Sequence, residues 1–175
     1  MRIHKLDFTE LITAAKVQER VVQLGRQINE DYGDKTPVFV PVLNGSFIFA
    51  ADLIKEVNVA CRVSFVKVSS YAGTSSSGQL KSLIGLEESL FNQHILIVED
   101  IVDTGFTLEK IVDELKKLGT RSIEVAALLR KKPAREKGFP VKYVGFEIDE
   151  EFVVGYGLDF DGLGRNFKDI YKAKK

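Results

Sequence analysis

An α/β fold built on a mainly parallel sheet is what this chain predicts. Apolar runs of strand length alternate with segments of helical period, and the runs end in small polar residues. Residues 9–31 carry a helical stripe of Val17, Val21, Leu24 and Ile28, with Glu19, Arg20, Arg26 and Glu30 off it; 31–34 (Asp-Tyr-Gly-Asp) stop it. Residues 37–43 (PVFVPVL) read as a buried strand, 44–46 as a tight connection and 47–57 as a helix. Residues 62–70 are β-branched and partly alternating, which predicts a strand; 72–82 (AGTSSSGQLKS) offer no apolar anchor and read as a mobile loop. A strand over 94–100 precedes a helix over 107–118, whose Leu108, Ile111, Val112, Leu115 and Leu118 share a face, with Gly119 as its stop. Residues 123–129, 143–148 and 152–156 read as further strands, and 157–175 as an irregular tail.

The 175 residues fit one domain, 1–175, without repeat or linker. Lys+Arg and Asp+Glu are both 25, so there is no basic excess of the kind a nucleic-acid binder shows. A small anionic substrate remains compatible, because charge can be local. One cysteine, Cys61, excludes an intrachain disulfide and a cysteine metal cluster, and reads as a small apolar residue. His4 and His94 have no metal-ligand spacing. The first ten residues lack a signal peptide's apolar stretch, and no apolar run reaches the ~18 residues of a membrane span. The expectation is a soluble cytoplasmic protein without membrane or nucleic-acid partners.

Residues 95–108 (ILIVEDIVDTGFTL) carry the chemistry. An apolar run ends in adjacent carboxylates, Glu99 and Asp100; then come Asp103, Thr104, Gly105, Phe106 and Thr107 and the start of a helical pattern. A helix N-terminus offers free N–H groups to an anion, and a tight loop ahead of it forms a nest for phosphate. Ionised carboxylates only accept hydrogen bonds, so Glu99 and Asp100 suit a sugar diol, directly or through a divalent cation. A phosphate cradle beside a diol clamp matches a ribose 5-phosphate. In parallel sheets ligands sit at the carboxyl ends of strands, where Asn44, Tyr71, Glu99 and Lys131 all fall. Each residue also has an ordinary reading: a solvated acidic turn for 99–100, a helix cap for Asp103, a turn residue for Gly105, a solvated lysine for Lys131, core strand for Phe152 and Val153.

The run Glu-Asp-Ile-Val-Asp-Thr-Gly-Phe-Thr (99–107) resembles the phosphoribosyl-diphosphate motif of the type I phosphoribosyltransferases. Leu43, Asn44, Gly45 and Ser46 resemble the family's pyrophosphate loop; Ser70 and Tyr71, ahead of the Ser/Gly-rich stretch, resemble its catalytic lid. Residues 128–131 (LLRK) resemble the strand bearing a 6-oxopurine-reading lysine, and 144–148 with 152–159 (FVVGYGLD) resemble its purine hood. The last motif is specific to the hypoxanthine-guanine branch, of which the chain is identified as a member.

That resemblance implies a type I phosphoribosyltransferase fold: a mainly parallel central sheet flanked by helices, a small hood from the N- and C-terminal segments, and a lid at about 70–82. It implies transfer of ribose 5-phosphate from 5-phosphoribosyl 1-diphosphate to N9 of hypoxanthine or guanine, giving IMP or GMP and pyrophosphate, with Mg²⁺. Glu99 and Asp100 would hold the ribose hydroxyls and, with Asp159, the metal's environment. Asp103 would be the base or proton acceptor at purine N7. Thr104, Gly105, Phe106 and Thr107 would cradle the 5-phosphate; Leu43, Asn44, Gly45 and Arg165 would meet pyrophosphate. Lys131 would donate to O6, Phe152 would stack on the purine and Val153 would offer its carbonyl. Tyr71, with Ser70, would close over the site and exclude water. Asn44 departs from the lysine many relatives carry there, and brings a donor without charge; Leu43-Asn44 corresponds to the family's non-proline cis bond. Relatives form homodimers and homotetramers, so a homo-oligomer is implied. Two other readings stand beside this one. A regulatory protein of the same fold that binds the diphosphate without turnover would have freedom to lose Asp103, Tyr71 or Lys131, and all are present. A dinucleotide binder would carry G-x-G-x-x-G after its first strand, which is missing.

Overall fold

The computed structural model describes residues 1–67, 89–132 and 139–174. A parallel sheet forms from β3 (Val38–Leu43), β4 (Arg62–Val63), β5 (Val66–Lys67), β6 (His94–Val102), β7 (Ser122–Lys131) and β8 (Tyr143–Ile148), in the order β4-β3-β6-β7-β8 with β5 also on β3. Strand alternation sorts its side chains into two layers. Phe39, Leu96, Val98, Ala126 and Leu128 face helices α1 (Ala14–Asp31) and α2 (Phe47–Lys55). Val38, Val40, Ile95, Ile97 and Val125 face α3 (Phe106–Lys117), which supplies Leu108, Ile111, Val112 and Leu115.

A second, antiparallel sheet runs β1-β2-β10-β9, from β1 (Arg2–Ile3), β2 (Leu6–Ile12), β9 (Val153–Val154) and β10 (Ile170–Ala173). Here the structure corrects three sequence expectations. The helix read over 9–31 starts only at Ala14, where Thr13 accepts from the Lys16 amide; 9–12 belong to β2. The tail is not irregular throughout, since β10 pairs with both β2 and β9. Residues 62–67 form two short strands rather than one, interrupted at Ser64, whose amide donates to the Phe39 carbonyl. No helix among the described residues is long and apolar enough to cross a membrane.

Two side chains close the sheet's far edge. Arg20 donates to the carbonyls of Val144 and Gly145 at 2.7 and 2.9 Å, which blunts edge strand β8. Tyr143, buried, donates to Asp31 at 2.7 Å. Asp31 sits at a helix C-terminus, where a negative charge is disfavoured; the Tyr143 hydroxyl and Lys142 hold its carboxyl below the usual range. Tyr143→Phe therefore lowers stability at pH 7 by about 1 kcal/mol. Because the folded carboxyl is the stronger acid, its contribution exists above the ordinary carboxylate pKa and fades as pH falls through the folded value. Urea melts at pH 7 and pH 3 check this: the gap between wild type and variant shrinks at the lower pH.

Candidate active site

The strand order changes direction between β3 and β6: the chain leaves β3 for β4 on one side and returns to β6 on the other. Such switch points open a crevice at the carboxyl ends of the strands. The crevice holds the ends of β3 and β6, and with them Asn44, Gly45, Glu99 and Asp100.

The Leu43-Asn44 peptide is cis, as the resemblance implies. Ser46 is buried and its hydroxyl donates to the Val42 carbonyl at 2.7 Å, which pins the turn. Gly45 lies so close to β6 that a Cβ there would stand 1.6 Å from Asp100 Oδ2. On its other side stands Gly157: at φ 102°, a Cβ on it would fall 2.1 Å from the Gly45 carbonyl oxygen. Gly157 in turn donates its amide to the Arg165 carbonyl at 3.0 Å and accepts from Arg165 Nη1 at 2.5 Å. Arg165 Nη2 pairs with Asp159 at 2.6 Å. Asp100, Gly45, Gly157 and Arg165 thus form one stack, joining the parallel sheet to the C-terminal segment.

Glu99 is 7% exposed. Burial first, and the Asp100 charge second, push its carboxyl well above the usual range. Asp100 is raised by burial too, against the Ile101 amide that donates to its Oδ1 at 2.8 Å. A cavity of about 100 Å³ follows, lined by Glu99, Asp103, Thr104, Gly105 and Thr107 among others. Gly105, at φ 81°, is the N-cap of α3, and Glu109 donates its amide to the Gly105 carbonyl at 2.9 Å. No side chain caps this helix, so the first-turn amides face the cavity's loop unclaimed by any capping residue.

Asp103 does not act as the helix cap that was its ordinary reading. Its Oδ2 instead accepts from Lys131 Nζ at 2.7 Å. Lys131 is 15% exposed against 50% for Asp103, while neighbouring Lys132 is out in solvent with Asp149. The solvated-lysine reading therefore suits Lys132 and not Lys131. Phe152 is 46% exposed, with its ring perpendicular to Phe160 at 5.2 Å between ring centres. Val153 is buried on β9.

The structure brings Leu43, Asn44, Gly45, Asp100, Asp159 and Arg165 to one end of the crevice, lines the cavity beside it with Glu99, Asp103, Thr104, Gly105 and Thr107, and sets Lys131 against Asp103; Phe106 starts α3 but its side chain is exposed and does not line the cavity. Ser70, Tyr71 and the lid expected at 70–82 lie outside the described residues. Sequence reasoning gave Gly157 no role of its own, although it stands inside the FVVGYGLD stretch; its contact with Gly45 depends on the crossing of distant segments. Cys61 is half-buried, with burial raising its thiol pKa, and His94 bonds Ser122 at 2.6 Å, so both are structural.

Glu99, Asp100 and Asp159 are the oxygen donors that could hold a cation. No three His, Cys, Asp or Glu side chains among the described residues form a ready metal cage. Mg²⁺ does not ask for one: it is held by one or two carboxylates and completed by substrate oxygens and water. Two adjacent acids raised by burial, with the Asp100 charge acting on Glu99 and the Asp159 charge on Asp100, fit such an ion, because a cation beside them favours their ionised forms.

A phosphoribosyl transferase domain model matches residues 9–161. The hypoxanthine-guanine phosphoribosyltransferase of Dictyostelium discoideum is 41% identical over 165 residues, covering 91% of this chain and 90% of its own. The hypoxanthine phosphoribosyltransferase of Haemophilus influenzae is 40% identical over 177 residues, covering 99% and 98%. Among solved structures, a hypoxanthine phosphoribosyltransferase from Staphylococcus aureus is similar at TM-score 0.86 and 40% identity, covering 97% of this chain and 92% of that one. A variant of the Trypanosoma cruzi hypoxanthine phosphoribosyltransferase, solved as a ternary substrates complex, is similar at TM-score 0.88 and 35% identity, covering 97% and 96%.

Proposed function

The chain belongs to the phosphoribosyltransferase family, and we infer from this and from its site that it is a purine-salvage enzyme. It transfers the 5-phosphoribosyl group from 5-phosphoribosyl 1-diphosphate to N9 of hypoxanthine or guanine, giving IMP or GMP and pyrophosphate. The observation that carries the choice of base is the Asp103–Lys131 pair at 2.7 Å. A 6-oxopurine protonated at N7 presents, side by side, an N–H donor and the O6 acceptor. An acceptor (Asp103) beside a donor (Lys131) is the complement of that edge. Adenine would set its 6-amino group against an ammonium that can only donate. A polar group left unpaired in such a site can reject the wrong base by ~10⁴–10⁵-fold.

Each part of the reaction then falls to a named group. The α3 N-terminus with Thr104, Gly105, Phe106 and Thr107 holds the 5-phosphate. Glu99 and Asp100 hold the ribose hydroxyls. The Leu43–Gly45 turn and Arg165 receive the pyrophosphate, and Asn44 donates there without the charge a lysine would add. Phe152 stacks on the base, Val153 offers its carbonyl to the ring edge, and Asp103 takes the N7 proton as N9 bonds to C1 of the ribose. Mg²⁺, held by Glu99, Asp100 and Asp159, would neutralise charge on the departing oxygens. Tyr71 and Ser70 belong to a lid that keeps water from an oxocarbenium-like centre. The enzyme works in the cytoplasm as a homodimer or homotetramer; the absence of any disulfide-forming cysteine pair supports the first, and family resemblance the second.

The test is a steady-state assay with 5-phosphoribosyl 1-diphosphate, with and without Mg²⁺, against hypoxanthine, guanine, xanthine and adenine. Metal-dependent turnover of a 6-oxopurine with little of adenine is expected. Tight binding of the diphosphate without turnover of any base would overturn the enzymatic reading in favour of a regulatory one.

A further inference from the structure

Three cationic residues in succession, Arg130 and Lys131 at the end of β7 and Lys132 just after it, face the acids of β8 and of the turn after it. Arg130 pairs with Glu147, and Lys132 with Asp149 at 3.0 Å. Lys132 lies in solvent, whereas Arg130 is half-buried. Lys131, between them, reaches Asp103 at 2.7 Å, and Glu150 stands 3.8 Å from the same Nζ. Glu150 is 73% exposed and lies between the two halves of the hood motif, 144–148 and 152–159.

We propose that Glu150 is a positioning residue for Lys131, an inference that rests on the reading of Lys131 as the O6 donor. An ammonium is a point charge with three N–H groups on a flexible stem, and nothing intrinsic aims any one of them. Asp103 takes the first at hydrogen-bond distance. Glu150 draws the second at ion-pair distance. The third is left for the purine. When the base arrives and Asp103 turns to N7–H, Glu150 keeps the ammonium over the 6-position instead of releasing it to solvent. Glu150 also lies two residues before Phe152, so one short turn fixes the lysine and the stacking ring together. Its carboxylate touches neither the base nor the reacting carbon.

The experiment compares Glu150→Gln with wild type in single and double variants with Lys131→Met. Glu150→Gln should raise KM for hypoxanthine about two- to fivefold, the size of an ion pair exposed on one side, and leave kcat and KM for 5-phosphoribosyl 1-diphosphate unchanged. In the Lys131→Met background the same substitution should do nothing. If Lys131→Met raises the hypoxanthine KM and Glu150→Gln does not, the positioning role is overturned and the O6 reading survives. An equal effect of Glu150→Gln in both backgrounds also overturns it, since it would then act on the turn and not the lysine. If Lys131→Met itself leaves the purine KM unmoved, the underlying reading fails first.

Discussion

Asp103→Asn lowers kcat with hypoxanthine by about 10²–10⁴-fold, the usual worth of a positioned base. Asparagine has the same shape and its carbonyl oxygen can still accept from Lys131, so the 2.7 Å contact has a successor. What it cannot do is take a proton from N7. The loss therefore appears in kcat more than in KM for the base. Misfolding is not a competing explanation. Asp103 is half exposed and caps nothing, α3 being headed by Gly105 with no side-chain cap. Steady-state kinetics beside a thermal melt decide the matter; a variant that keeps a tenth or more of wild-type kcat, with an unchanged melt, removes Asp103 from the proton path.

Gly45→Ala should be comparably damaging, for a reason of space. The new methyl would lie 1.6 Å from Asp100 Oδ2 and 2.4 Å from its carboxyl carbon. Either the carboxylate swings away or the 43–46 turn is pushed off β6. The turn is held from behind by Ser46 and from above by Gly157, so the carboxylate is the part that yields. Misplacing a group by about 1 Å in a site of this kind can cost 10²-fold, and we expect a loss of that order in kcat/KM for 5-phosphoribosyl 1-diphosphate. The purine KM should change less, since Lys131 and Phe152 stand elsewhere on the rim. Near-normal kinetics with this diphosphate would show that the close approach of turn and carboxylate is unimportant.

The legible parts of this protein are those written in one contiguous stretch. Residues 94–107 hold a strand, two acids, a phosphate loop and a helix start in sequence, and the structure keeps that order, with β6 running two residues longer and α3 beginning one earlier than read. Strands β3, β6 and β7 were legible because their middle residues are buried on both faces and so almost all apolar. The hood was not. In β2 only Phe8 and Ile12 are buried, four residues apart, and that spacing continues into the helical stripe of α1. Ile170 to Ala173 show no local pattern either; they are a strand because Phe8–Ile12 and Val153–Val154 lie on either side. Pairings across some 160 positions leave no periodic mark. The same holds at the site. Lys131 and Lys132 are indistinguishable as neighbours in a sequence, and only the resemblance chose between them. The contacts of Gly157 and Glu150 depend on which segments cross.

The hood's construction sets an order of assembly during synthesis. The ends of β3 and β6, the phosphate loop and Lys131 are all encoded by residue 131, and their sheet closes with β8 at residue 148. β9, which carries Val153 next to Phe152, is held through β10, whose last residue is 173. Because nonlocal pairing waits for its partner to emerge, a ribosome-bound chain has a cradle for the sugar phosphate before it has a roof for the base. The grip on the sugar phosphate is thus acquired first, and Arg165 for the pyrophosphate and the roof for the base come last.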